Sequence, residues 1–198
     1  MLFYCKQQIK KYKYFFEFRG DDLQFKTKET ALLGIMAAVL VVAGFLLYFL
    51  STFFPIPGMK FVFLAPLLSF IFALVLRKVN KKGTITIFSL ILGGILSFIT
   101  LFMGLAILFT GLLTELTGFI IDSINDKKNI IYTSAFFPVY SLLTFGFITQ
   151  LFLGEVFFTR DNLFLIIVIL VLVYSLGFLG AKLAVKFFRR IDQSKKSQ

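Results

Sequence analysis

Apolar residues in this chain fall into six long runs, at about 30–50, 61–76, 84–101, 103–121, 130–153 and 163–184. Each is roughly long enough for a helix across a hydrocarbon core of about 30 Å. The breaks are short and polar, basic or proline-bearing. "FFPIPGMK" (53–60) holds Pro55 and Pro57, which end any helix between the first two runs. Only a tight turn near Thr100–Gly104 separates the third run from the fourth. Pro138 predicts a kink in the fifth. The pattern predicts an all-α membrane protein, a six-transmembrane-helix bundle over 30–188. A juxtamembrane segment, 1–29, precedes it, and a basic tail, 189–198, follows.

Composition agrees. The chain has 198 residues and is 59% hydrophobic, with a mean hydropathy of +0.92, whereas soluble domains run near about 45–50% apolar. The formal charge is +11, which raises nucleic acid as a partner, but the placement of the charges argues for a bilayer. Nineteen of the 21 basic residues lie in the N-terminal segment, the breaks at 77–82 and 127–128, and the stretch from Lys182 onward. Lys60 and Arg160 alone fall in the intervening breaks. The positive-inside rule then places both termini in the cytosol of a cell carrying this protein in its plasma membrane. Residues 1–29 lack an apolar stretch before a small-residue cleavage site, so they do not read as a signal peptide. Their mix of lysines and aromatics, "KKYKYFFEFRG" (10–20), suits the anionic inner leaflet or a disordered tail, with "GDD" (20–22) as a turn.

Several chemistries are excluded. With no histidine and one cysteine, Cys5, the chain has no internal disulfide and no His/Cys metal site. Histidine-based triads are absent for the same reason. No GxxxxGK[ST] occurs, so no P-loop binds ATP. No cofactor is implied.

Small residues mark helix contacts, because lipid supplies no hydrophobic drive between helices. The first run carries Ala31, Gly34, Ala37 and Ala38; the third, Ser89, Gly93, Ser97 and Thr100; the sixth, Gly177, Gly180, Ala181 and Ala184. The fourth run holds an anomaly. Within "GLLTELTG" (111–118), Glu115 lies deep in an apolar stretch, where an ionisable group costs about 2.5–3.5 kcal/mol on insertion scales. Gly104, Gly111, Glu115 and Gly118 share one helical face. Glu115 is therefore expected to face a groove that a backbone or a ligand can approach. It would form the floor of a substrate cavity, or fix the cavity's shape by hydrogen bonds to the fifth and sixth helices. No basic residue lies at matching depth. Its expected partners are a hydroxyl such as Tyr140, Ser141 or Tyr174, a water, or a cationic ligand group. Thr144 and Gln150 of the fifth run, and Lys60 after an apolar proline-fixed loop, complete the candidate set.

Six helices in about 200 residues, with a basic N-terminal segment, resemble the substrate-binding S components of energy-coupling-factor (ECF) transporters. "GIMAA" (34–38) stands where that family carries a small-xxx-small motif. "PIPG" (55–58) is similar to its first loop. "KVNKKGTITIFSLILGGIL" (78–96) and "GLLTELTG" look like the MptD-like branch. The resemblance is best over 27–153. It implies a subunit that binds a vitamin or vitamin precursor from outside and delivers it through a transmembrane T component and two ABC-type ATPases. Gly34, Ala37 and Ala38 would form the docking surface. The N-terminal Met-His of the nickel and cobalt type is absent, as is the tryptophan of the thiamine type's aromatic clamp.

Two other readings compete. An assembly protein without a ligand would share the helices and the docking stripe. An intramembrane enzyme would need a second titratable group near Glu115, and no carboxylate stands three or four residues away. A channel would need a charged ring or carbonyl filter, and no such motif is present.

The charge split makes the topology testable. Single cysteines replacing Lys60 or Arg160, in a Cys5→Ser background, are expected to react with an impermeant thiol reagent added to intact cells. Reaction at positions 81 or 127 instead would overturn the six-span reading.

Overall fold

The computed structural model describes residues 25–51, 53, 58–79, 81, 83–121, 127–154 and 163–196. The GDD turn, most of the juxtamembrane segment and the PIPG loop's prolines lie outside them. The described residues form six helices and no strand: α1 Thr27–Ser51, α2 Met59–Val79, α3 Thr84–Ser97, α4 Leu101–Ile121, α5 Lys127–Leu153 and α6 Leu163–Lys196. Five are long and apolar enough to cross a membrane, which makes this a multi-pass membrane protein in character.

α1 begins at Thr27, inside the segment expected to precede it, and α2 and α5 run about three residues beyond their apolar runs; the larger differences lie in α3, the turn after it and α6. α3 has 14 residues, about 21 Å at 1.5 Å per residue, and so is shorter than the run that predicts it. The turn after it is formed by residues 98–100, and α4 begins at Leu101. α6 is one 34-residue helix, continuing through the stretch expected to be a separate tail. Apolarity measures what lipid tolerates, whereas helix length follows backbone hydrogen bonding, and the two part company at ends.

α2 is the hub. It packs against α1, α3, α5 and α6, while among the described residues α4 touches only α3 and α5, and α1 only α2 and α3. Three aromatics fill the centre. Phe72 of α2 stacks on Phe137 of α5 at 3.6 Å between ring centroids. It meets Phe88 of α3 edge-on at 4.9 Å. All three are fully buried. Apolar burial against lipid brings little free energy, so close contact and dispersion hold the helices together.

Two seams show how close the backbones come. On α6, a Cβ on Gly180 would collide with the Pro66 carbonyl oxygen of α2 and stand 2.8 Å from its Cα. Pro66 has no N–H, so the helix lacks one internal hydrogen bond there. Between α3 and α4, a Cβ on Gly104 would lie 2.7 Å from the Gly93 carbonyl oxygen and 2.8 Å from the Ser97 Cβ, and one on Gly111 would overlap Ser89. The small-residue stripes of the third and sixth runs are thus spent on packing inside the bundle.

α1 is bound least. Only 17% of its most apolar stretch is buried, against 33–50% in the other four long helices. Leu33, Ala37 and Leu40 face the bundle, while Ile35, Val39, Val42, Phe45 and Leu46 face away from it.

Gly34 and Gly180 therefore respond differently to one added methyl. Gly180→Ala is expected to lower thermal stability in detergent by about 1–3 kcal/mol through overpacking. Gly34→Ala, with nothing within 4 Å of its Cβ, should stay within about 0.5 kcal/mol of the parent. Equal melting of the two variants would mean that α2 and α6 do not cross closely at Pro66.

Candidate functional site

The place of Glu115 on α4 is explained by the start of α3. A helix leaves its first four N–H groups without intrahelical partners, and where neighbours shield them from water a protein group has to take its place. "KKGTITIF" (81–88) puts neither Ser, Thr, Asp nor Asn at the capping position, which is Gly83 with φ 82°. That left-handed conformation is open to glycine at no steric cost. Capping then has to come from elsewhere. Glu115 of α4 supplies it: Oε1 accepts from the Gly83 N–H at 2.8 Å, and Oε2 accepts from Ile85 at 3.0 Å and Thr86 at 3.1 Å. The remaining donor, the Thr84 N–H, reaches the Lys81 carbonyl at 3.4 Å. Each backbone donor of the first turn is occupied.

The charge suits the position. Peptide dipoles place partial positive charge at a helix N-terminus, where a carboxylate is stabilised. Thus α3's own first turn does the work of the missing lysine or arginine. The glycine face beneath Glu115 serves the same purpose, because Gly111 against Ser89 and Gly104 against Gly93 and Ser97 bring α4 close to α3.

A second carboxylate holds the same loop from the other side. Lys81 donates to Glu29 Oε2 of α1 at 2.7 Å, and its ammonium lies 5.5 Å from the Phe25 ring. Glu29 also accepts from the Lys26 N–H at 2.9 Å, as the third helical residue does in a capping box. Glu29 and Glu115 thus tie the α2–α3 connection to α1 and α4. These groups share one end of the bundle, the basic end, with Arg77. Arg77 donates to the Val185 carbonyl of α6 at 3.0 Å and lies over the Phe188 ring.

The other candidate residues go elsewhere. On α4's other face the Thr110 and Thr144 hydroxyls hydrogen-bond at 2.6 Å, and Thr117 and Tyr140 at 2.8 Å. Tyr140 stacks on Phe136, which also packs on Tyr174. Lys60, in α2's first turn, donates to the Tyr48 hydroxyl of α1 at 3.0 Å, with its charge over the same ring. Gln150 is exposed near the end of α5.

The structure therefore divides the expected set. Glu115 and Gly111 lie in the α3–α4 seam, Tyr140 and Thr144 in the α4–α5 seam, Tyr174 between α5 and α6, and Lys60 between α1 and α2. The expected bonds from Glu115 to the fifth and sixth helices give way to bonds from α3's backbone, not from Tyr140, Ser141 or Tyr174. A search for partners among side chains misses such donors. The available signal was negative: a helix beginning at Gly83 without a capping side chain of its own. Sequence reasoning also missed Gly83, Thr110, Thr117 and the Lys81–Glu29 pair.

Of the docking residues, Ala37 is buried against the bundle. Gly34 and Ala38 lie away from it, Gly34 half-buried with open space around its Cβ and Ala38 exposed. Among the described residues no group of three or more His, Cys, Asp or Glu could hold a metal ion. Comparison with protein-family models, curated proteins and solved structures finds no match.

The capping role separates two substitutions. Glu115→Ala strips acceptors from three N–H groups, each costing about 1–3 kcal/mol when left unsatisfied. Glu115→Gln keeps one acceptor oxygen but turns an NH2 toward donors. Both are expected to lower the melting temperature, Ala more than Gln, and to speed amide hydrogen exchange at residues 83–86. Parental exchange rates there in both variants would show that the carboxylate does not cap α3.

Proposed function

We propose that this chain crosses the plasma membrane of a bacterium or archaeon six times, with both termini in the cytosol. There it serves as the substrate-capture subunit of an ECF-type importer. A vitamin-like molecule would enter from the side opposite the basic end. A transmembrane T component and two ABC-type ATPases would supply docking and energy. One observation carries the reading: α1 leaves Gly34 and Ala38 off the bundle, on the least covered of the long helices. A close-packing stripe that the chain itself does not use fits a surface reserved for another membrane protein. The lack of a nucleotide-binding motif fits a subunit powered by a partner.

Cargo contact falls on part of the set first expected. Glu115 and Gly111 are occupied by α3, so the proposed mouth relies on Lys60, beside Tyr48, and on the α5 and α6 positions Gln150 and Tyr174. Tyr140 and Thr144 would act from the α4–α5 seam.

A second reading has its own support. The hydroxyls of Thr110, Thr144, Thr117 and Tyr140 satisfy one another, as they would in a ligand-free assembly subunit that docks through the same face. Native mass spectrometry of gently purified protein separates the two. A retained small molecule supports capture, and its absence from protein purified with its partners supports assembly.

Docking itself is tested by bulk. Gly34→Leu and Ala38→Leu are expected to leave folding unchanged and to abolish co-purification of an ATPase-linked membrane partner. Recovery of that partner at parental yield with both variants would remove α1 as the docking face.

A further inference from the structure

The basic end carries a second surface, on the flank formed by α2 and α6. Phe70 of α2 and Leu183, Lys186, Phe187 and Arg190 of α6 line an open cavity of about 320 Å³. Its chemistry is graded along the bundle. Leu183 and Phe187 stand four apart on α6, one turn behind Lys186 and Arg190, which are also four apart. Phe70 closes the wall from α2, its ring 6.5 Å from that of Phe187. Leu183 precedes Arg190 by about two turns of α6, so the apolar end of the groove lies deeper in the bundle than its outermost cation. Arg77 is committed to the Val185 carbonyl and the Phe188 ring. Lys186 and Arg190 are both exposed and, among the described residues, neither has a hydrogen bond or an ion pair.

We propose that this groove binds one anionic phospholipid, with its phosphate between Lys186 and Arg190 and an acyl chain along Phe70, Leu183 and Phe187. The order of surfaces is that of the lipid itself, charge at the interface and hydrocarbon beneath it. A free phosphate would use the two cations and leave the aromatic wall uncovered. A zwitterionic lipid would use the wall but bring a choline against the cations. Basic recesses between membrane helices bind anionic headgroups by this combination, each cation contributing favourable electrostatics near the surface. Guanidinium adds bidentate geometry toward phosphate oxygens. The inference depends on the chain lying in a membrane and is independent of any cargo.

The test is native mass spectrometry of the full chain, equilibrated in detergent with dioleoyl-phosphatidylglycerol or dioleoyl-phosphatidylcholine. The parent is expected to retain the anionic lipid with roughly tenfold or greater preference. Lys186→Gln with Arg190→Gln should erase that preference without changing the melting temperature, each single variant losing part of it. Leu183→Ser with Phe187→Ser should weaken retention of both lipids. Lys182→Gln, exposed on α6 but outside the groove, should leave the preference intact. Three results would overturn the proposal. One is full preference in the doubly neutralised variant. Another is equal loss in Lys182→Gln, which would signal diffuse charge. The third is displacement of the lipid from the parent by millimolar inorganic phosphate, which would mark a site for the free anion.

Discussion

A helix whose first turn is packed against a neighbour must find partners for its amides, and that requirement ties α3 to α4 in this protein. α3 has no capping side chain of its own, because its N-cap is Gly83. The Glu115 carboxylate answers from the neighbouring helix with three hydrogen bonds. Its reach fixes the register of α3 against α4. That register in turn seats Gly104 and Gly111 under Ser97 and Ser89, so that the two helices form one close hairpin. A carboxylate that reads as functional from the apolar run around it is the means by which the first turn of a short helix is satisfied.

The rest of the bundle hangs on α2. Its Phe72 joins α3 and α5 through Phe88 and Phe137, and its Pro66 receives Gly180 of α6. Glycine and proline, poor residues for an isolated helix, are useful here because contact distance matters more than propensity in lipid. α1 takes little part. Its attachment runs through Leu33, Ala37 and Leu40, through Lys81–Glu29 at one end and through Lys60–Tyr48 at the other. A helix fastened at both ends, with its long outer face uncovered, suits a docking role.

The polar groups are largely satisfied within the chain. Paired hydroxyls join α4 to α5, and helical back-bonds such as Thr114 to Thr110 and Ser134 to Ile130 occupy others. Three buried hydroxyls, Ser69, Ser89 and Thr133, have no hydrogen-bond partner among the described residues. Ser69 and Ser89 sit against Gly177 and Gly111, where small size rather than hydrogen bonding accounts for them.

From the amino-acid order alone followed the all-helical class, the approximate helix positions, the lack of a P-loop motif and of histidine, and the small-residue faces that pack. These properties are local or additive: apolar run length, residue counts and four-residue spacing can be read along one dimension. The glycine face around Glu115 was legible too, including that another backbone could approach it. What the tertiary structure decided was which backbone. Gly83 and Glu115 are separated by the whole of α3, the turn and two thirds of α4, and the donors involved are main-chain groups that every residue but proline carries, so no side-chain pattern marks them. The same holds for Ala37 and Ala38, adjacent in the chain yet one buried and one exposed. Only the packing of α1 on α2 and α3 settles which side of a helix with apolar residues all around turns inward.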